Sequence, residues 1–233
     1  ALLLALTPAL AVAENGWTGA GELGLALSRG NSDTESLNAK HGLNLEDGDW
    51  KHSLGFAALR QKGESALSDE LELTANRYEL SVSGAWTWDE RRYVIGSLRY
   101  ENDDFAPYEY QAIAAIGLGW YLIKEEATEW LIEGGPGHRR FKDVATGETD
   151  GAGVLRAKMA YQHAFNESTS FENVLLVESG SDNTFAQNNA GVSVKMNSKL
   201  ALKAGLEIRH NAEAAPGLET TDRLFTTNLV YSF

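Results

Sequence analysis

A closed antiparallel β-barrel of about twelve membrane-spanning strands is the fold that this sequence predicts, and three observations predict it. Successive segments of ten or so residues alternate apolar and polar side chains with period two, as strands do when their two faces meet different surroundings. The connections alternate as well: "EDGD", "TWDERR", "KEEATE", "FNES" and "MNSK" are short, whereas "RQKGESALSDE", "ENDDFAPYE", "KDVATGETDGA" and "HNAEAAPGLETTD" are longer. Outer-membrane barrels have this arrangement, with short periplasmic turns and longer external loops. Finally, Trp50, Trp86, Trp88, Trp120, Trp130 and Phe165 gather beside the short turns, where a ring that is apolar but keeps a wet N–H suits a membrane interface. Alternation alone would fit a soluble sandwich with one wet face; turn length and aromatic placement decide for the barrel.

The segments follow in order. Trp17, Leu23, Leu25 and Leu27 share one parity, against Thr18, Glu22 and Ser28. Leu37, Ala39, Leu43 and Leu45 alternate with Asn38, Lys40, Gly42 and Asn44, and Leu54, Phe56 and Ala58 with Lys51, Ser53 and Gln61. The fourth sets Tyr78, Leu80, Val82 and Trp86 against Glu79, Ser81, Ser83 and Thr87. The fifth, around Tyr93–Tyr100, has the least regular alternation. The sixth places Ile116, Leu118, Trp120 and Leu122 on one face, and the seventh opposes Trp130 and Ile132 to Glu133 and Arg139. Leu155, Met159 and Tyr161 then oppose Arg156, Lys158 and Gln162; Phe171, Leu175 and Val177 oppose Glu172 and Glu178. Val192, Val194 and Met196 face away from Asn189, Ser193 and Lys195, as Leu200, Leu202, Leu206 and Ile208 do from Lys203, Glu207 and Arg209. In the last, "FTTNLVYSF", Phe225, Thr227, Leu229, Tyr231 and Phe233 share a face, with Leu224 and Val230 as apolar exceptions opposite. No internal linker divides residues 14–233, which read as a single domain.

Composition narrows the rest. Among 233 residues there are 23 glycines and only 4 prolines, which suits many tight turns. Mean hydropathy is -0.30, and no apolar run reaches the roughly 18 residues of a membrane helix. Cysteine is absent, which removes disulfides and thiolate chemistry. A formal charge of -13 argues against nucleic acid, whose phosphates need a basic surface. Residues 1–13, "ALLLALTPALAVA", read as the remnant of a secretory signal peptide, with Ala11 and Ala13 as the small residues of a cleavage site.

The polar face carries charges near strand centres: Glu22, Lys40, Arg99, Glu133, Arg139 and Arg156 in the first part, then Lys158, Glu172, Lys195, Lys203, Glu207 and Arg209. Facing a lumen, such groups either pair and brace the wall, because buried charges need partners, or line a narrow water-filled path; bracing is the reading adopted. Acidic residues, among them Asp33, Glu64, Asp69, Asp104, Asp143, Asp182 and Glu219, cluster at the expected external loops. That rim suits solubility, or divalent cations shared with lipopolysaccharide. No His-x-Ser pair occurs among His41, His52, His138, His163 and His210, and neither a Gly-rich nucleotide motif nor zinc-ligand spacing is present. Asp103 and Asp104 with His138 or His210 remain the one protease-like combination. "EGGPGHRR" reads as a kink or bulge. No cofactor, metal or catalytic residue is expected.

Two resemblances add to this. Leu229, Tyr231 and Phe233 resemble the C-terminal signal of bacterial outer-membrane proteins, which implies recognition by the barrel assembly machinery. "GWTGAGELGLALSRGNSDTESLNAKHGLNL" is similar to the opening of the salt-induced outer membrane protein family, also called domain of unknown function 481, in which a "GxxGxxxLGLxxxxGNSDT" stretch joins the first two strands. "LRYENDDF", "GLGWYLI", "EGGPGHRRF" and "NLVYSF" match its habits too, so the likeness runs from Gly16 to Phe233. It implies a Gram-negative outer-membrane protein without an established molecular activity, and the family name adds a link to salt or osmotic stress; contact with membrane lipids and lipopolysaccharide, and a role in envelope integrity, are expected of such a barrel. The expectation is therefore a non-enzymatic barrel, with a small channel or porin as the alternative and a lipid-modifying enzyme behind both.

Overall fold

The structure, a computed structural model, describes residues 16–28, 33–64, 70–213 and 219–233. Twelve strands follow one another: β1 (Trp17–Ser28), β2 (Thr34–Asp47), β3 (Trp50–Glu64), β4 (Leu71–Thr87), β5 (Arg92–Asp103), β6 (Tyr108–Lys124), β7 (Thr128–Asp143), β8 (Thr149–Ala164), β9 (Thr169–Gly180), β10 (Thr184–Lys195), β11 (Leu200–Asn211) and β12 (Thr221–Ser232). Each pairs antiparallel with its sequence neighbours, and β12 returns to β1 to close the barrel. Closure satisfies the backbone groups that an open sheet edge would leave unpaired, the condition for a sheet in hydrocarbon. Phe233 and Gly19 exchange two backbone hydrogen bonds of 3.0 Å at the junction.

Period-two alternation becomes an outward and an inward face. Leu98, Ile116, Leu118, Leu155 and Phe225 project outward and are highly exposed, whereas Arg139, Glu178 and Phe185 point inward with no exposed surface. The ladder carries this around the wall: outward Val82 pairs with Leu98, Leu98 with Ala114 and Ala114 with His138. Trp50, Trp86, Trp88 and Trp120 are exposed beside the short turns, as expected. A second aromatic belt, Tyr78, Tyr100 and Tyr110, runs on the outer face nearer the other end, with successive ring centroids 6.0 and 6.1 Å apart.

At the short-turn end, side chains supply the turn chemistry. Asp89, Asn166 and Asn197 each accept two backbone N–H bonds from the residues that follow, at 2.8 to 3.0 Å, which replaces ladder bonds where the chain reverses. The bonds from the Arg91 and Arg92 backbone and the Arg92 side chain hold the Asp89 carboxyl below its usual range, against a smaller upward push from desolvation. Gly48 takes φ 59° in the turn between β2 and β3, a conformation cheap only for glycine. At the opposite end the strands run further than expected. β6 begins at Tyr108 and β8 at Thr149, so much of the sequence that reads as long loop is protruding strand.

One irregularity is explained and two expectations need correcting. The β5 alternation is irregular because the first half of that strand is apolar on both faces: Tyr93 and Ile95 turn inward to join Ala85, Tyr121 and Leu131 in a buried cluster inside the barrel. Leu122 does not continue the regular alternation from Trp120; a register shift between Tyr121 and Ile123 makes it an extra residue, and Ile123 takes the place opposite Trp130. The "GGPG" stretch carries no bulge. The β6–β7 register is the same on both sides of it, Ala115 pairing with Gly137 and Leu118 with Gly134. What its glycines permit is close approach, since a Cβ on Gly137 would sit 2.7 Å from the Ala114 carbonyl oxygen. Ala11 and Ala13 lie outside the described residues.

Candidate functional site: the charged lumen

All twelve charges expected in the lumen lie on the inward parity. Arg99 (β5) reaches across the barrel to Glu178 (β9) with a bidentate contact whose Nε bond is 3.3 Å, and it also binds Glu101 at 2.9 Å. Arg209 (β11) crosses in the other direction to Glu101 at 2.7 Å. Between the two guanidiniums lies the Phe185 ring, wholly buried, each guanidinium 4.8 Å from its centroid. A ring face attracts cations, so Phe185 separates two like charges that would otherwise repel. Glu207 accepts from Lys40 at 3.1 Å and from Arg77, tying β11 to β2 and β4. Four cations (Lys40, Arg77, Arg99, Arg209) thus meet five carboxylates (Glu79, Glu101, Asp103, Glu178, Glu207) in one belt across the barrel.

Smaller groups extend the bracing. Lys203 bridges Glu22 and Glu172, both at 2.5 Å. Glu133 accepts from Arg156 at 3.2 Å and from the Tyr93 hydroxyl at 3.0 Å, with Lys158 at 3.6 Å. Arg139 donates to Asp182 at 2.7 Å and to the Asn183 and Glu178 carbonyls, and Tyr108 donates to Asp182 at 2.9 Å. Lys195 is exposed near the short-turn rim. Bracing is therefore what most of these charges do, and the sequence missed several of its members. Glu79 and Glu178 already sat on the polar parity, and Arg77 and Glu101 share theirs, but only register shows which strands face each other. Phe185 was legible only as an apolar residue out of phase.

Filling is uneven around the lumen. The β4–β8 side is blocked at the short-turn end by the Tyr93–Tyr121–Leu131 cluster and at the other end by Tyr108, Phe141 (ring centroids 4.3 Å apart), Arg139 and Asp182. Space remains along the opposite wall. A cavity of about 500 Å³ at the short-turn end is lined by Thr18, Ala20, Lys40, Asn44, Glu79 and Ser81. A smaller one of about 120 Å³ toward the long-loop end is lined by Gln61, Arg77, Asp103, Glu207, Arg209 and Asp222. The Lys40–Glu207–Arg77 link lies between them.

The other candidate chemistry does not assemble. All five histidines are on the outward parity, where His163 and His210 bond Thr128 (2.8 Å) and Thr221 (2.9 Å) rather than a serine. Asp103 faces inward, so the wall separates it from His138 and His210. Several rim acids are committed to the protein itself: Asp104 accepts from Asn76 at 2.6 Å, Asp143 from the Thr146 N–H at 2.8 Å, and Asp182 from Arg139 and Tyr108. Among the described residues no three metal-ligating side chains converge; Asp69 lies outside them.

A closed twelve-stranded antiparallel barrel, apolar outside and charged inside, has the architecture of the membrane-spanning β-barrels. The chain belongs to the family described as "Protein of unknown function, DUF481", which matches residues 21–233. In three dimensions it resembles the NanC porin (TM-score 0.54, 11% identity, 93% of this chain and 98% of that one). It also resembles an outer membrane channel from Pseudomonas putida F1 (0.53, 9%, 95% and 97%) and the translocator domain of the autotransporter NalP from Neisseria meningitidis (0.51, 11%, 94% and 88%). At such identities the likeness is one of fold. No curated protein matches the sequence.

Proposed function

We propose that this protein is a non-enzymatic outer-membrane barrel of a Gram-negative bacterium whose lumen is a narrow channel, held shut by the charge belt. The supporting observation is that one cavity lies toward each end along one wall, with Lys40 lining the first, Arg77 and Glu207 lining the second, and the Lys40–Glu207–Arg77 link between the two. A barrel serving only as a brace has no need of chambers on both sides of one salt-bridged layer. A fold shared with porins and channels points the same way. On this reading the outward residues contact membrane lipids and, at the long-loop end, lipopolysaccharide, while outward Leu229, Tyr231 and Phe233 are what the barrel assembly machinery meets. A role in envelope integrity under salt or osmotic stress fits the cross-lumen ties, which join strands that are not neighbours in the wall, among them β5 and β11 on opposite sides.

Planar-bilayer recording of the refolded chain is the test. Wild type is expected to be silent or nearly so, and Glu207→Ala is expected to give reproducible current steps. Large steps from wild type would contradict the closed belt; silence from every belt variant would leave a purely structural barrel.

A further inference from the structure

The β1–β12 seam is short. Beyond the Gly19–Phe233 bonds its register runs from Ala20–Ser232 only to Leu23–Leu229, although β1 stays paired with β2 as far as Ser28–Thr34 and β12 with β11 as far as Thr221–His210. Both strands therefore continue toward the long-loop end without pairing to each other. Continued in register, Ala26 would have faced Thr226. In place of that pairing is a cleft of about 250 Å³.

Its lining comes from both faces of the wall. Asn38, Asn228, Ser36 and Thr226 are inward residues that offer amide and hydroxyl groups, whereas Leu25 and Phe225 are outward. Those outer lips, with Leu27 beside them, are the most exposed large apolar side chains described, at 68%, 76% and 75%. At the lower edge Asn228 donates to Glu22 at 3.1 Å and accepts from Asn38 at 3.4 Å. It lies so close to Gly24 that any Cβ there would overlap its side-chain oxygen. A polar latch thus marks the point where the ladder stops. Next along β12, Leu224 and Asp222 line the smaller lumen cavity.

Backbone groups left unpaired in hydrocarbon cost several kcal/mol each, so a cleft of this kind must be met by water or by a polar group from inside. Apolar lips then face the acyl region, and a polar floor faces the lumen. We infer that this upper seam is a lateral opening through which an uncharged single-chain amphiphile passes between lumen and membrane, its chain between Leu25 and Phe225 and its head on Asn38 and Asn228. The head is uncharged because the cleft itself offers only amides and hydroxyls, and the neighbouring carboxylate, Glu22, is already paired with Lys203 and accepts from Asn228. The inference rests on the membrane placement proposed above.

The test uses the full chain, refolded in detergent and moved into liposomes, with a diazirine-bearing dodecanol as probe. Adducts are expected to concentrate at residues 24–27 and 225–228. Ala26→Phe, which fills the cleft, is expected to cut that labelling about tenfold, equivalent to about 1.4 kcal/mol, and to leave labelling around Leu118 unchanged. Because the chain has no cysteine, an Ala26→Cys, Thr226→Cys disulfide is a second lock; it requires Cα atoms within about 7 Å, and its reduction should restore labelling. Even labelling around the barrel, unchanged labelling in Ala26→Phe, or equal labelling by a dodecanoate probe would overturn the assignment. A chain that folds without detergent would refute the membrane placement instead, so the two failures are distinguishable.

Discussion

Replacing Glu207 by alanine removes the carboxylate that holds both Arg77 and Lys40 between the two cavities. Glu207 is 5% exposed. The Lys40 side chain is 31% exposed and keeps Asn189 at 3.2 Å, so its share is near that of a surface pair, about 0.2–1 kcal/mol. Arg77, with 14% of its side chain exposed, is left as a nearly buried cation, and breaking such a pair costs about 3–5 kcal/mol. The Arg77 contact therefore dominates, and Glu207→Ala should lose about 3–5 kcal/mol in urea unfolding followed by the mobility of the folded barrel on gels. Arg77→Met combined with Glu207→Met should recover most of that loss, because the one cation left without its carboxylate, Lys40, is partly exposed and keeps Asn189. The same single variant should conduct in bilayers. Single variants within about 1 kcal/mol of wild type, with strictly additive effects, would refute the reasoning: the pair would then be a wet contact, not a closure.

Other perturbations probe separate parts of the lumen. Phe185→Ala removes a wholly buried ring from between two guanidiniums; it should cost about 3–5 kcal/mol in unfolding and raise conductance. At Gly119 a Cβ would overlap the Tyr93 ring, so Gly119→Ala should cost about 1–3 kcal/mol, whereas Gly96→Ala meets nothing within 4 Å and should leave the urea midpoint in place. Burial raises the pKa of Asp182 in the 181–183 connection, but the Arg139 hydrogen bond and charge, with the Tyr108 bond, outweigh it and hold the carboxyl below its ordinary range. A depressed folded pKa means that this stabilisation is complete above the unfolded value of about 3.9 and is lost as pH falls through the lower folded one. Asp182→Asn should thus be less stable than wild type at neutral pH, with the gap narrowing below about pH 4 in parallel urea titrations.

Most of the barrel is readable from side-chain parity, because lipid on one side and a polar lumen on the other impose period two on every strand. Where parity weakens there is a local cause. In β5 the inward positions Tyr93 and Ile95 serve an apolar plug, so both faces carry the same chemistry. At Tyr121–Ile123 one extra residue shifts the phase. For the lumen, parity identifies which charges point inward but not which ones meet. Arg209 and Glu101 are 108 residues apart, and only closure with its register brings β11 opposite β5. The rim acids show the opposite limit. Charge density reads as an open anionic surface, yet Asp182 and Asp103 turn onto arginines inside the barrel, a choice that depends on strands protruding further than loop-like sequence indicates.

That neighbouring residues of one strand face lipid and an aqueous lumen in turn is open to direct measurement. Since the chain lacks cysteine, single cysteines at Leu80, Ser81 and Val82 of β4 measure it directly in liposomes. Ser81 lines the larger cavity, and Leu80 and Val82 are exposed on the outer wall. A charged, water-soluble thiol reagent should modify Ser81→Cys and spare Leu80→Cys and Val82→Cys, while spin labels at the latter two should be broadened by lipid-borne relaxing agents. Equal reactivity at all three positions, or lipid contact at Ser81, would contradict the account.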